Sequence, residues 1–347
     1  MSALNRQTSY RVPRPVIFGC AGTTLLEDER AFFEASQPLG FILFQRNCET
    51  RDQARELVTA LRASVGRRDA PVLIDQEGGR VARLGPPHWP VRAAARRFAD
   101  LALRDRAAGR RAARLCGRLI AHDLREIGIN VDCAPVLDIS RPETHGVIGD
   151  RSYGGDPILV SALGRAFALG LQSGKVIPVM KHIPGHGRAR ADSHLELPVV
   201  EASREELEAT DFAPFRLLSD LPWAMTAHVL YTALDRERPA TTSPAIIEGV
   251  IRSHMRFDGV LLSDDLSMAA LKGTLSERAR DALAAGCDVV LHCNGRLEEM
   301  AEVAEGARQS TAVSARRVAR TLAFRSSRGS LDVAGAERDL EALLARA

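Results

Sequence analysis

Residues 179–198 read VMKHIPGHGRARADSHLELP, and Lys181, His182, His186, Asp192, His194 and Glu196 all fall inside this one stretch. Pro184 removes a backbone donor while Gly185 and Gly187 disfavour helix, so the first half of the stretch reads as a loop. Loops held by a rigid scaffold are where catalytic groups concentrate. Asp192 precedes His194 by two residues, and in a bent loop its carboxylate can fix the imidazole tautomer and raise the basicity of the ring. Asp192 and His194 are therefore a candidate acid/base pair.

Such a pair needs a frame to hold it. Short apolar, β-branched runs recur at 15–19, 40–44, 71–74, 129–138, 176–180, 223–228, 259–263 and 288–292, each ending in a polar or glycine-bearing cluster. Stretches with helical periodicity lie between and after them at 27–35, 51–65, 107–127, 157–173, 204–219, 244–254, 276–285 and 297–306. Strands alternating with helices in this number predict an α/β fold, a (β/α)8 TIM-type barrel. With no Pro/Ser linker to divide the chain, residues 1–347 read as one domain, with a C-terminal helix at about 332–347 packed outside and 326–330 as the loop before it. Ser203, with Glu206 three residues on, has the spacing of a capping box, and Gly128 and Gly286 mark helix ends.

Ionisable and polar residues gather where the runs end. Asp75-Gln76-Glu77-Gly78-Gly79-Arg80 follows the third, Asp138 the fourth, Lys181-His182 the fifth, His228 the sixth, Asp264-Asp265 the seventh, and His292 and Asn294 the eighth. A barrel has no need of so much charge at one rim for its own stability, and barrel enzymes place their sites at this end of the strands. The rim is the candidate active site.

Composition narrows the ligand. The formal net charge is +3, from 47 basic and 44 acidic residues, which gives no electrostatic case for nucleic acid as the main partner. The six cysteines show no CxxC spacing and read as buried free thiols. No run approaches the roughly 20 apolar residues of a membrane span, and residues 1–15 lack an apolar leader core, so a cytoplasmic protein without a membrane span is expected. Oligomeric state is not legible at this level.

Three chemistries fit the rim. In a metal hydrolase, His182, His186, His194, Asp192 and the strand-end acids would ligate zinc. The HxxxH spacing shares a face only on a helix, however, and Pro184 and Gly185 interrupt it, so neither metal nor cofactor is expected. Glycoside hydrolysis needs a proton donor for the departing oxygen and a carboxylate at the anomeric centre. His194 with Asp192 fits the first role and Asp264 or Asp265 the second; periodicity alone does not say which of these neighbours faces substrate. A barrel that binds sugar without turnover would keep the rim but has no use for either catalytic set.

The segments KHIPGHGRARADSH, VLIDQEGGRVAR, GDRSYGGDP and GVLLSDDLSM, spread over residues 72–268, together resemble the bacterial β-N-acetylglucosaminidases of glycoside hydrolase family 3, the peptidoglycan-recycling type. The resemblance implies Asp264 as nucleophile, His194 as acid/base with Asp192 as its orienting partner, and Asp75, Arg83, Arg151, Lys181 and His182 as sugar-binding residues. It further implies a retaining mechanism on GlcNAc β-1,4-linked to 1,6-anhydro-N-acetylmuramic acid, with or without a stem peptide, delivered by a loop that closes over the barrel mouth. Two departures stand out: Ile183 replaces a common Phe, and Arg188-Ala189-Arg190 makes the loop basic, as if to meet an anionic substrate group such as a peptide carboxylate. A β-N-acetylglucosaminide phosphorylase is a near alternative, since a histidine repels phosphate less than a carboxylate would. A substrate-assisted hexosaminidase, with the Asp264-Asp265 pair polarising the acetamido group, is another. Asp265 reads more readily as a cap for the next segment, and His186 as a stabiliser of its own loop.

Overall fold

The computed structural model describes residues 12–142, 144–189, 191–193, 195–323 and 331–346. His194, Arg190 and the 326–330 loop lie outside the described residues. Eight strands, β1 (Arg14–Phe18), β2 (Pro38–Leu43), β3 (Val72–Ile74), β4 (Val131–Asp132), β5 (Ile177–Ile183), β6 (Trp223–Thr226), β7 (Val260–Asp265) and β8 (Val289–His292), close into a barrel. Every neighbouring pair is parallel. Parallel neighbours require long crossovers, and helices such as Arg51–Ser64, Arg106–Glu126, Pro157–Ser173 and Leu275–Ala285 supply them.

Two cores result from the alternation of side chains along each strand. Ile17, Leu73, Val131, Val179, Trp223, Val260, Leu262 and Val289 fill the barrel lumen, whereas Val16, Phe18, Met180 and Leu261 pack outward against the helices. The helix Ala312–Leu322 packs Val318 and Leu322 against the lumen core, and Trp223 Nε1 donates to Thr321 Oγ1 at 2.9 Å. The barrel is therefore a packed column with its open end at the strand C-termini.

The predicted elements shift where local chemistry intervenes. The fourth run, expected over 129–138, pairs only at Val131–Asp132 and again at a single bridge from Val136 to Lys181, because Pro135 has no N–H for the ladder. The helix expected over 204–219 is two, Arg204–Ala209 and Ala213–Leu217. Pro214 cannot donate to the preceding turn, and the Thr210 and Asp211 side chains bond locally instead. Ser203 caps the first of these as its spacing predicts, accepting from the Glu206 N–H. The helix expected from Ser276 begins at Leu275, capped by Thr274 and Glu277. Two helices escape the strand-by-strand pattern. Ala95–Arg104 precedes Arg106–Glu126 within one crossover, and Ala312–Leu322 follows the last strand. The C-terminal helix, Val333–Leu344, packs on Ala95–Arg104 and Arg106–Glu126.

Candidate active site

Strand phase places the charges. Above Leu73, Val179 and Leu262, which fill the lumen, the next residues in the same phase are Asp75, Lys181 and Asp264. The phase that packs the barrel thus carries three ionisable side chains into its mouth, and Asp265 also reaches the pocket wall, where β7 shifts register against β8. His182 joins them from the opposite phase, where β5 shifts register between Lys181 and Ile183.

Lys181 is the hub. Its Nζ lies 2.7 Å from Asp75 Oδ1 and 2.7 Å from Glu77 Oε1. Arg83 Nη2 reaches Asp75 Oδ2 at 3.1 Å, and Arg151 grips Glu77 with Nε and Nη2, both at 2.8 Å. Burial alone would raise both carboxyls; Lys181 and Arg83 outweigh it at Asp75, and Lys181 and Arg151 at Glu77, so both are held below the usual carboxylate range. Burial likewise works against the Lys181 charge, but Asp75 and Glu77 raise its pKa above the ordinary lysine value.

The DQEGGR motif folds as a tight hairpin, Gln76–Gly78 against Val81–Ala82. Gln76 Oε1 accepts from the N–H groups of Arg83 and Leu84, which fixes the return strand. Gly78 has φ +94°, and a Cβ there would lie 2.3 Å from the Ala93 carbonyl oxygen, so no other residue fits the turn. Arg80 donates to Asp150 and to the carbonyls of Gly146, Val147 and Ile148, pinning the loop that delivers Arg151.

Asp264 stands opposite this hub. Its Oδ1 accepts from the Asp265 N–H at 2.8 Å, and Oδ2 is 4.0 Å from His182 Nε2. Burial pushes its carboxyl upward, yet the His182 imidazole, the Asp265 N–H and Lys181 more than offset this and hold it below the ordinary aspartate value. His182 is oriented from behind by Asp138, whose Oδ2 lies 2.7 Å from Nδ1. Asp138 Oδ1 also accepts from the His182 and His186 N–H groups. His186 lines the pocket too; burial, with His182 nearby, lowers its pKa from 6.5 to about 4, so its ring is neutral near pH 7.

Other rim residues are occupied elsewhere. Asp265 accepts from Ser267 N–H, Ser267 Oγ and Cys293 N–H, the capping role its position suggested. His228 donates through Nε2 to the Asp265 carbonyl and accepts at Nδ1 from Thr241, so both nitrogens are used within the wall. Asn294 bonds Glu299 and the Arg296 N–H at the start of Leu297–Gly306 and does not line the pocket.

After β5 the chain turns through the glycine-rich segment and crosses the mouth. Ser193 lines the pocket, its Oγ is 3.8 Å from Met268 Sδ, and its carbonyl accepts from Ala270 N–H. The Asp192 carbonyl accepts from the Leu195 and Glu196 N–H groups. Arg188 does not face the mouth as the basic loop suggested. It is drawn to Asp211, 2.7 Å from Nε, and to Glu206, 2.7 Å from Nη2, because those two acids offer better-placed charge than open solvent.

Asp75, Arg83, Arg151, Lys181, His182 and Asp264 therefore converge on one pocket of about 230 Å³, with Ser193 and Met268 on its far side. Glu77 and Asp138 stand among the strand-end charges, but the set of residues given a binding or catalytic role did not include them. Each sits at a strand end beside residues that were in it, and the signal available was the cost of burying Lys181 and His182 without a counter-charge. Among the described residues, no group of three or more His, Cys, Asp or Glu is disposed to hold a metal ion.

The model of the glycosyl hydrolase family 3 N-terminal domain matches residues 24–323. The chain belongs to glycoside hydrolase family 3. Among the relatives of this family 3 enzyme, the beta-hexosaminidase of Alkalilimnicola ehrlichii is 41% identical over 288 residues, spanning 81% of this chain and 80% of its own. The beta-hexosaminidase of Pseudomonas aeruginosa PAO1 is 40% identical over 278 residues, 79% of this chain and 81% of its own. NagZ from Neisseria gonorrhoeae, solved in complex with N-trifluoroacetyl-D-glucosamine, matches with a TM-score of 0.85 at 32% identity, over 97% of this chain and 99% of that one. As a member of this family, the chain is a glycoside hydrolase built on a (β/α)8 barrel.

Proposed function

We propose that the enzyme is a retaining exo-β-N-acetylglucosaminidase that removes GlcNAc from 1,6-anhydro-muropeptides during cell-wall recycling in the cytoplasm. The observation that carries the reading is Asp264: an ionised carboxylate in the lumen phase of β7, facing a small pocket across from Asp75, Arg83 and Lys181. Asp75 accepts from sugar hydroxyls while Arg83, Lys181 and Arg151 donate to sugar oxygens, fixing the ring before chemistry. One pyranose occupies a pocket of this size, which favours release of a terminal residue. The relatives named beta-hexosaminidase, and the structural neighbour bound to an N-acylated glucosamine, support an N-acetylhexosamine in that position.

Asp264 Oδ attacks the anomeric carbon as the glycosidic C–O bond breaks, and imidazolium His194 gives its proton to the departing oxygen. A glycosyl ester on Asp264 results. His194, now neutral and oriented by Asp192, takes a proton from water, whose oxygen attacks the same carbon and returns Asp264 to its carboxylate. Two inversions give net retention. The test is a fluorinated N-acetylglucosaminyl fluoride that accumulates the ester, followed by peptide mass mapping. A label on Asp264 is expected; a label on Asp265, or none under turnover conditions, overturns the assignment. Product analysis in phosphate buffer is expected to give GlcNAc, and the 1-phosphate as main product would make the enzyme a phosphorylase.

A further inference from the structure

The segment bearing Asp192 and His194 is tied at its root to a buried carboxylate that the reaction does not use. Asp211 sits between helices Arg204–Ala209 and Ala213–Leu217 and is only 1% exposed. Its Oδ2 gathers Arg188 Nε at 2.7 Å, Thr210 Oγ1 at 2.7 Å and Arg141 Nη2 at 3.4 Å. Arg188 comes from the loop after β5 and Arg141 from the loop after β4, so one oxygen joins both loops to a third element. The second arm of the Arg188 fork meets Glu206 at 2.7 Å and Thr210 Oγ1 at 3.3 Å.

The backbone is fixed on both sides of Arg188, before it at Gly185, His186 and Gly187 and after it at Ala189. Tyr231 OH donates to the Gly185 carbonyl, Asp138 accepts from the His186 N–H, Thr144 Oγ1 donates to the Gly187 carbonyl, and His145 N–H to the Ala189 carbonyl. Gly187 lies so close to Ile139 that a Cβ would fall 2.0 Å from its carbonyl oxygen. Five residues past Arg188 comes Ser193, whose carbonyl accepts from the Ala270 N–H. Among the described residues, Arg188 is the ion-paired side chain nearest to Asp192 on the upstream side. None of Arg141, Arg188 and Asp211 lines the pocket, so the cluster does not serve by touching substrate.

We propose that Asp211, acting through Arg188, is a positioning residue that sets where the Asp192–His194 pair stands relative to the glycosidic oxygen. The inference rests on that pair being the acid/base. Proton transfer tolerates little displacement, and a shift of about 1 Å by a remote change costs on the order of a hundredfold. The planar guanidinium meets Asp211 through Nε and Glu206 through Nη2, two donor atoms held apart in a fixed fork that the single nitrogen of an ammonium does not reproduce, so Lys is an incomplete substitute at 188.

Leaving-group dependence tests this. The full-length Arg188→Gln, Arg188→Lys and Asp211→Asn variants are assayed on aryl β-N-acetylglucosaminides. A dinitrophenyl leaving group departs without a proton, and a methoxyphenyl group needs one. For Arg188→Gln and Asp211→Asn, kcat/KM is expected to fall on the order of a hundredfold on the methoxyphenyl substrate and less than about threefold on the dinitrophenyl one, with Arg188→Lys intermediate. Equal loss on both substrates, or no loss on either, overturns the positioning role. His194→Ala is the reference: if it shows no leaving-group dependence, the acid/base reading itself fails, whereas dependence in His194→Ala but not in Arg188→Gln removes only the Arg188–Asp211 role. Should Asp211→Asn not fold, the partly exposed Arg188→Gln decides alone.

Discussion

Two ion clusters beside the barrel mouth have opposite polarity and opposite reach. Around Lys181 a buried cation is surrounded by Asp75 and Glu77, which in turn hold Arg83 and Arg151. Around Asp211 a buried anion is surrounded by Arg188 and Arg141. In the first, exposure rises outward, from 3% at Lys181 to 30% at Arg83, so the outer members present donors and acceptors to the pocket. In the second, the arginines turn inward and none of the three lines the pocket. A count of charge near the rim does not separate them; what separates them is whether a strand or a loop supplies the central residue. Lys181, held in β5, projects along the lumen phase, whereas Asp211, at a break between two short helices, fastens loops to each other.

The largest contrast lies across from Lys181. Asp264→Ala removes the group proposed to form the covalent bond and is expected to lower kcat on an aryl substrate on the order of ten-thousandfold, with an unchanged circular dichroism spectrum. Near-normal turnover would place the chemistry elsewhere and dissolve the distinction between a substrate-facing and a backbone-holding cluster. Lys181→Met comes next. It strands Asp75 and Glu77 as buried carboxylates with fewer counter-charges, and about 3–5 kcal/mol of stability is expected to disappear in denaturant unfolding, together with most of the activity. A loss below 1 kcal/mol, within what a surface pair contributes, would show that the hub is not structurally essential.

Much of this contrast was legible in the chain, and the illegible part has a physical origin. Eight apolar runs alternating with helices gave the barrel, and their charged ends gave Asp75, Lys181, His182 and Asp264 as rim residues. Phase was hidden, since parallel strands buried on both faces read as continuous apolar runs, and only the closed barrel shows that Leu262 faces the lumen and carries Asp264 with it. Arg188 read as a free cation because its partners, Asp211 and Glu206, are remote in sequence and brought close by a helix that breaks at Thr210. Glu77 and Asp138 were visible as acids, but their service to Arg151, Lys181 and His182 depends on distances between strands.

Titration sharpens the comparison on the pocket side. His186 is buried beside His182, and its pKa falls from 6.5 to about 4. The unfolded chain therefore binds this proton more readily than the folded one. Full stability from this group is present above about pH 6.5 and is lost as pH falls from there through about 4, for a total of about 3 kcal/mol. His186→Gln is expected to flatten the pH dependence of unfolding free energy in that window. The slope that remains belongs partly to His228 and His292, whose burial also lowers their pKa. A slope unaltered by His186→Gln would mean that the imidazole takes up its proton as readily in the folded protein as in the unfolded chain.

The smallest expected effect separates neighbours on one strand. Asp265 also lines the pocket, but it uses both oxygens on Ser267 and Cys293, while its carbonyl accepts from His228. Asp265→Asn retains the size and one acceptor oxygen, so its loss is that of a charged cap, about 1 kcal/mol, with kcat reduced less than about tenfold. If instead Asp265→Asn matched Asp264→Ala in activity with wild-type stability, the lumen phase of β7 would not be what selects the reacting carboxylate. The same pair of variants also bears on a substrate-assisted route, because polarising an acetamido group would engage both acids and bring their losses close together. A gap of about a thousandfold between them is what a single attacking carboxylate requires, since Asp264 alone would then touch the anomeric carbon while Asp265 only holds the loop beneath it.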